Sequence, residues 1–247
     1  MGNVTMFEKI IDKVRGVFVT KRAERLRLIV AGTDLRQVGK AFDLSFGLII
    51  EGGGERVFLD PGPDAVKQAG DAEPIDVVVI THDDEHTGAG VEALKQAGFA
   101  GVVRSEVNGT LVEGVTFQAA GAKWKAIGVK HEPGVKTLGF DVQAGDHCLG
   151  LYPHAKAIPQ DSNADVLVVG VGGTDMLNPE YMIKTAMADQ GRLVYVAGYC
   201  QEASREDVMA GADDNTIPLS TGDGLVVYDE ELEFHPAEAE EGEGDAE

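Results

Sequence analysis

Two packed, mixed β-sheets flanked by helices, an α/β class, is the fold this sequence predicts, and three observations predict it. Apolar runs of strand length, separated by glycine-rich turns, recur through both halves of the chain. Two of them, Val77-Val78-Val79-Ile80 and the strand at 164–171 beyond Asp165, are continuous rather than alternating, as in strands covered on both faces. Helical patterns stand between the runs, so each β-rich half closes with strand and helix pairs that need a layer outside the sheets.

In chain order, residues 6–17 place apolar side chains at helical spacing between charges and predict an amphipathic helix. Strands follow at 26–31, 48–51 and 56–59, the last two joined by Gly52-Gly53-Gly54 as a hairpin turn. A short helix at 65–69 leads to a strand at 76–81. Gly88 and Gly90 read as a turn before a helix at 90–97, and a strand at 101–104 completes the crossover. Asn108-Gly109 marks a tight turn. Strands at 115–118, 126–130, 137–143, 148–152 and 164–171, a helix at 179–188, and strands at 193–197 and 224–228 complete the second half. Trp124 reads as core or pocket wall.

Composition narrows the function classes. The 247 residues hold 42 acids against 21 bases, a formal charge of -21. Phosphate tracking draws its affinity from lysine and arginine, so long nucleic acids are disfavoured as partners. No stretch approaches the ~20 apolar residues of a membrane span, and the amino-terminal pattern is interrupted by charge, which argues against a signal sequence. Cys148 and Cys200 are too few for a disulfide framework and read as buried small hydrophobes. A reducing cytoplasm is the expected compartment, and a homo-oligomer is compatible with the sequence. Residues 236–247 carry six acids and no base and read as a disordered tail.

The chemistry is concentrated after the strand at 76–81, where five potential ligands stand in a row: His82, Asp83, Asp84, Glu85 and His86. Such side chains repel or desolvate one another unless a cation or water solvates them, and a metal is the economical explanation. The alternative is a solvated loop of an acidic protein. A helical His-x-x-x-His zinc pair fits poorly, because the preceding strand leaves no helical turn and Glu85 is not placed as in His-Glu-x-x-His. Val168-Val169-Gly170-Val171-Gly172-Gly173 has Asp175 where a dinucleotide loop needs its third glycine. Gly-x-Ser-x-Gly and phosphate-binding Gly-x-x-x-x-Gly-Lys sequences are missing.

The order of these pieces resembles the metallo-β-lactamase superfamily over roughly residues 26–229. Val57-Phe58-Leu59-Asp60-Pro61-Gly62 is similar to the family's apolar run ending in Asp-x-Gly. Thr81-His82 matches the start of Thr-His-x-His-x-Asp-His-x-Gly-Gly, with Asp84 where the second histidine belongs. With one residue deleted, the preferred registration, Glu85-His86-Thr87-Gly88-Ala89 matches the close. Without a gap, Gly90 matches the last glycine, and His86 and Thr87 fall on the Asp and His positions. Val129-Lys130-His131 before Leu138-Gly139-Phe140 resembles the third element, and His154 stands at the place of the metal-bridging Asp. After Leu193-Val194-Tyr195-Val196 the family's last histidine is replaced by Ala197-Gly198-Tyr199-Cys200.

The resemblance implies a four-layer αββα sandwich over 26–235, preceded by a helical extension at 1–25 and followed by the tail at 236–247. It implies a metal set drawn from His82, Asp84, Glu85, His86, His131 and His154, with Asp84 ligating or orienting water. One zinc, or manganese or iron, per chain is expected. The implied activity is metal-assisted hydrolysis of a small ester or phosphodiester. The alternative is a non-catalytic binding or assembly protein on the same scaffold.

Overall fold

The computed structural model describes residues 24–33, 46–69, 74–83, 85–131, 134–171, 192–199, 215–229 and 231–237, with short pieces at 37–38, 41–42, 206 and 210. The helices expected at 6–17 and 179–188 and nearly all of the acidic tail lie outside these residues, as does Asp84.

Sixteen strands form two seven-stranded sheets and one small pair among the described residues. The first sheet contains β1 (Leu26–Gly32), β4 (Gly47–Gly52), β5 (Glu55–Leu59), β6 (Val77–Val79), β7 (Val102–Arg104), β15 (Gly224–Val227) and β16 (Leu232–His235). Their order is β16-β15-β1-β4-β5-β6-β7. The second contains β8 (Thr116–Ala119), β9 (Ala122–Val129), β10 (Thr137–Ala144), β11 (His147–Tyr152), β12 (Val166–Val171), β13 (Leu193–Tyr199) and β14 (Thr216–Pro218). These run in the order β14-β13-β12-β11-β10-β9-β8. β2 (Gln37–Val38) and β3 (Ala41–Phe42) pair with each other.

Both sheets are mixed. β5, β6 and β7 are parallel, connected through α1 (Pro63–Ala69) and α2 (Glu85–Gln96), and the rest of the first sheet is antiparallel. In the second sheet β11 through β14 are parallel and β8 through β11 antiparallel. Strand side chains alternate between faces, so each sheet contributes one face to a shared core. Leu28, Val30, Leu48, Ile50, Val57, Leu59 and Val79 meet Trp124, Phe140, Val142, Leu149, Leu151 and Val168 there. The Trp124 indole N–H donates to the Ala119 carbonyl at 2.9 Å, which satisfies its polar atom inside the core. Ile49, Phe58, Val78 and Ile80 face outward with Ala65 and Leu94 of the two helices. Tyr152, Leu167, Val169, Val194 and Val196 form the outer apolar face of the second sheet. This is the sandwich that continuous apolar runs such as Val77-Val78-Val79 require, since both of their faces must be buried.

Several expectations are corrected. Gly88 and Gly90 are not a turn before the helix: α2 already begins at Glu85 and contains both. Gly90 is there because of a close approach, since a Cβ on it would lie 1.4 Å from the Pro61 carbonyl oxygen. Gly88 has nothing within 4 Å. The edge strands β14 and β16 were not expected, and β13 runs on to Tyr199. The Gly52-Gly53-Gly54 hairpin joins β4 to β5, with φ of 59° at Gly53 and 79° at Gly54, the left-handed pair a tight hairpin needs.

Candidate metal centre

Four strand ends converge at one end of the sandwich. β5 leads to Asp60, β6 to Thr81 and His82, β9 to His131, and β11 to His154. The Leu138 N–H at the start of β10 donates to the Thr81 carbonyl at 2.7 Å, stitching the second sheet to the first at this end.

The three imidazoles pack together. Ring centroids are 4.6 Å apart for His82 and His154, 5.0 Å for His82 and His131, and 5.7 Å for His131 and His154. One nitrogen from each lies within 4.8 Å of the others. Two nitrogens bound to one zinc ion stand at most about 4.2 Å apart, so small ring rotations close the set. His82 and His154 are buried and His131 is half-buried.

Asp60 anchors the group. Its carboxylate is fully buried and accepts the Thr81 backbone N–H at 2.8 Å and the Thr81 hydroxyl at 2.7 Å. It sits at φ 47°, a left-handed conformation uncommon outside glycine. Because the Thr81 hydroxyl proton goes to Asp60, its oxygen is left to accept from His82 Nδ1, 3.0 Å away. That network fits the Nδ1–H tautomer of His82, in which Nε2 carries the lone pair.

His154 has the complementary signature. Burial holds its imidazole below the ordinary histidine range, neighbouring Asp60 opposes that, and His82 and His131 add to it. Its Nε2 is buried with no hydrogen-bond partner among the described residues, the Asp60 carboxylate being 3.5 Å away. A buried nitrogen without a partner is costly unless something binds it. Three imidazoles, one with such a nitrogen, fit a borderline-soft divalent cation.

Of the expected residues, the structure brings His82, His131 and His154 together. Glu85 and His86 begin α2, with side chains outside the described residues, as is the whole of Asp84. On β13, the small residues Ala197 and Gly198 offer no ligand. Cys148 lies on the outer face of the second sheet, where burial first and Asp141 and Asp165 second push its thiol up to about 12. Asp60 and Thr81 were missed as site residues. The signal was the apolar run ending in Asp60-Pro61-Gly62.

Comparison with known proteins agrees with this fold. The solved structures that resemble the chain include a diphosphatase from the PhnP family, at 15% identity and TM-score 0.65, covering 82% of this chain and 97% of that one. The metallo-β-lactamase fold protein YhfI from Bacillus subtilis is 13% identical at TM-score 0.66, covering 83% and 100%. Human tRNase Z, short form, is 12% identical at TM-score 0.57, covering 80% and 98%. No curated protein matches the sequence. Residues 45–195, more than half of the chain, match the family described as the beta-lactamase superfamily domain. With that match, the αββα sandwich and the histidines gathered at its end, the chain belongs to the metallo-β-lactamase superfamily.

Proposed function

We propose that this protein is a metal-dependent hydrolase of small ester or phosphodiester substrates. The observation that carries the reading is the convergence of His82, His131 and His154, with the buried Nε2 of His154, which has no hydrogen bond among the described residues and stands 3.5 Å from Asp60, among them. His82 Nε2, His131 and His154 would hold the ion, zinc or else manganese or iron, at about one per chain. Asp84, two residues after His82, would complete the set or orient water, and Glu85 and His86 at the start of α2 are further candidate ligands. A bound divalent cation acidifies water toward neutral pH and polarises the scissile oxygen. Asp60 acts through Thr81, fixing which nitrogen of His82 carries the proton. The fold neighbours named as a diphosphatase and a tRNase Z support hydrolysis of a phosphate ester or anhydride. The charge of -21 weighs against a long polyanion and for a small substrate. No described helix is long and apolar enough to cross a membrane, and a cytoplasmic compartment remains the reading from cysteine usage. The lack of a β13 ligand favours a second reading, a binding protein on the same scaffold.

Chromogenic phosphodiester and ester analogues, assayed with added zinc or manganese, decide between them. The hydrolase reading expects turnover by the wild type and loss of at least about 100-fold in His82→Ala, a rate difference of about 2.7 kcal/mol in barrier. Equal inactivity of both with every metal favours the binding protein. Degradation of RNA at physiological salt would show that net charge misjudged the substrate.

A further inference from the structure

The segment that carries His154 is held at both ends by one buried carboxylate outside the histidine cluster. Asp141 lies within β10, between Phe140 and Val142, which point into the core between the sheets. Its own side chain is 5% exposed and is met by three donors. The Tyr152 hydroxyl donates to Oδ1, the Ser162 hydroxyl donates to Oδ1 at 2.9 Å, and the Asn163 N–H donates to Oδ2 at 3.0 Å. The three flank His154: Tyr152 ends β11 two residues before it, and Ser162 and Asn163 lie after it in the connection to β12. A buried charge is tolerated only when its acceptor sites are filled, so the carboxylate and this stretch constrain each other.

Packing gives Tyr152 a single course. Its ring lies against Gly139 of β10, and Gly150 stands opposite Asp141 across the β10 and β11 pair. A Cβ at Gly139 would lie 2.1 Å from Tyr152 Cδ1, and one at Gly150 would lie 2.5 Å from Cε2. The ring therefore lies flat over both glycines and delivers its hydroxyl to Asp141. Burial first, and the bond to Asp141 second, push the phenol above its usual range, so it remains a donor. Beyond Tyr152 the chain turns, with the Ala155 N–H donating to the Tyr152 carbonyl at 3.3 Å. The Lys156 N–H then donates to the Lys130 carbonyl at 2.7 Å, next to His131. The two histidine-bearing loops of the second sheet are thus tied together downstream of the clamp.

We infer that Asp141 is a positioning residue: through Tyr152, Ser162 and Asn163 it fixes the loop that presents His154 to the cluster. This rests on the metal reading above for its functional consequence. Its hydrogen bonds go to Tyr152, Ser162 and Asn163, so it acts through the loop.

The test measures zinc affinity by chelator competition and amide hydrogen exchange of residues 153–161 in the metal-free chain. Asp141→Asn places an amide nitrogen against a donor, Tyr152→Phe keeps the ring but deletes its bond, and Ser162→Thr retains the hydroxyl. Val142→Ala is the control, a core truncation on the opposite face of the same strand. The clamp predicts about ten-fold weaker zinc binding in Asp141→Asn and Tyr152→Phe. It also predicts faster exchange across 153–161 in both, wild-type behaviour in Ser162→Thr, and wild-type affinity in Val142→Ala despite its lower stability. Wild-type affinity in Asp141→Asn and Tyr152→Phe, or an equal loss in Val142→Ala, overturns it. If the wild type itself takes up no zinc, the metal reading fails, and exchange decides the clamp alone: faster exchange in Asp141→Asn upholds it and unchanged exchange overturns it.

Discussion

Thr81 uses one hydroxyl in two directions, donating to Asp60 and leaving its oxygen toward His82 Nδ1. Thr81→Val keeps the shape and the backbone bond to Asp60 but removes the hydroxyl donor from a buried carboxylate. A hydrogen bond to a charged group contributes about 1.5–3 kcal/mol, so urea unfolding of the metal-free protein should show a loss of that order. A loss below about 0.5 kcal/mol would mean that Asp60 does not depend on Thr81. His154 gives a pH signature. Burial lowers its folded pKa, so its contribution to stability is complete above the unfolded histidine value near 6.5. That contribution is lost as pH falls from there through the folded value, because the unfolded chain takes up a proton the fold refuses. Metal-free wild type should therefore lose stability between about pH 7.5 and pH 5.5 more steeply than His154→Gln; equal slopes would contradict this. The histidines are visible in the sequence one by one, His82 from its place after a buried strand, His131 and His154 only through family likeness. Their convergence is not visible, because it depends on how two sheets pack. Asp60 was hidden for the same reason: its burial, its left-handed backbone and its bonds to Thr81 arise only once β5 lies beside β6.

At the scale of elements, α2 is the instructive case. Two glycines within three residues suggested a turn, yet the helix runs through them from Glu85, and only Gly90 has a steric reason to lack a side chain. Gly90→Ala would drive a methyl into the Pro61 backbone and should cost at least about 1–3 kcal/mol, the usual range for overpacking. Gly88→Ala meets open space and should gain up to about 1 kcal/mol from helix propensity. Thermal unfolding of the two variants tests the packing of α2 against the loop after β5; equal effects would show the contact to be wrong. Strands with continuous apolar runs, such as β6 and β12, were legible because nothing but a doubly covered strand suits them. The edge strands β14 and β16 were not. Thr216-Ile217-Pro218 is short and ends in proline, and Leu232-Glu233-Phe234-His235 alternates with charge, features that blunt sheet edges and also hide them.

For the whole molecule, the charge of -21 is a self-repulsion spread over a surface that the sandwich must hold together. Screening shortens from ~10 Å at 0.1 M to ~3 Å at 1 M salt, so the melting temperature should rise with sodium chloride across that range. A flat or falling melting temperature would mean that the acids are already compensated locally. The sandwich and its two sheets were legible from patterning and family likeness together, since a large apolar fraction arranged in strand-length runs leaves few other ways to bury it. The chemistry at its end rests on the three imidazoles holding a cation, and metal content measures that most directly. Elemental analysis of protein purified without chelator should find about one transition-metal ion per chain, and substantially less in His82→Ala, His131→Ala and His154→Ala. A wild type with no metal, or the same content in all four proteins, would contradict the account.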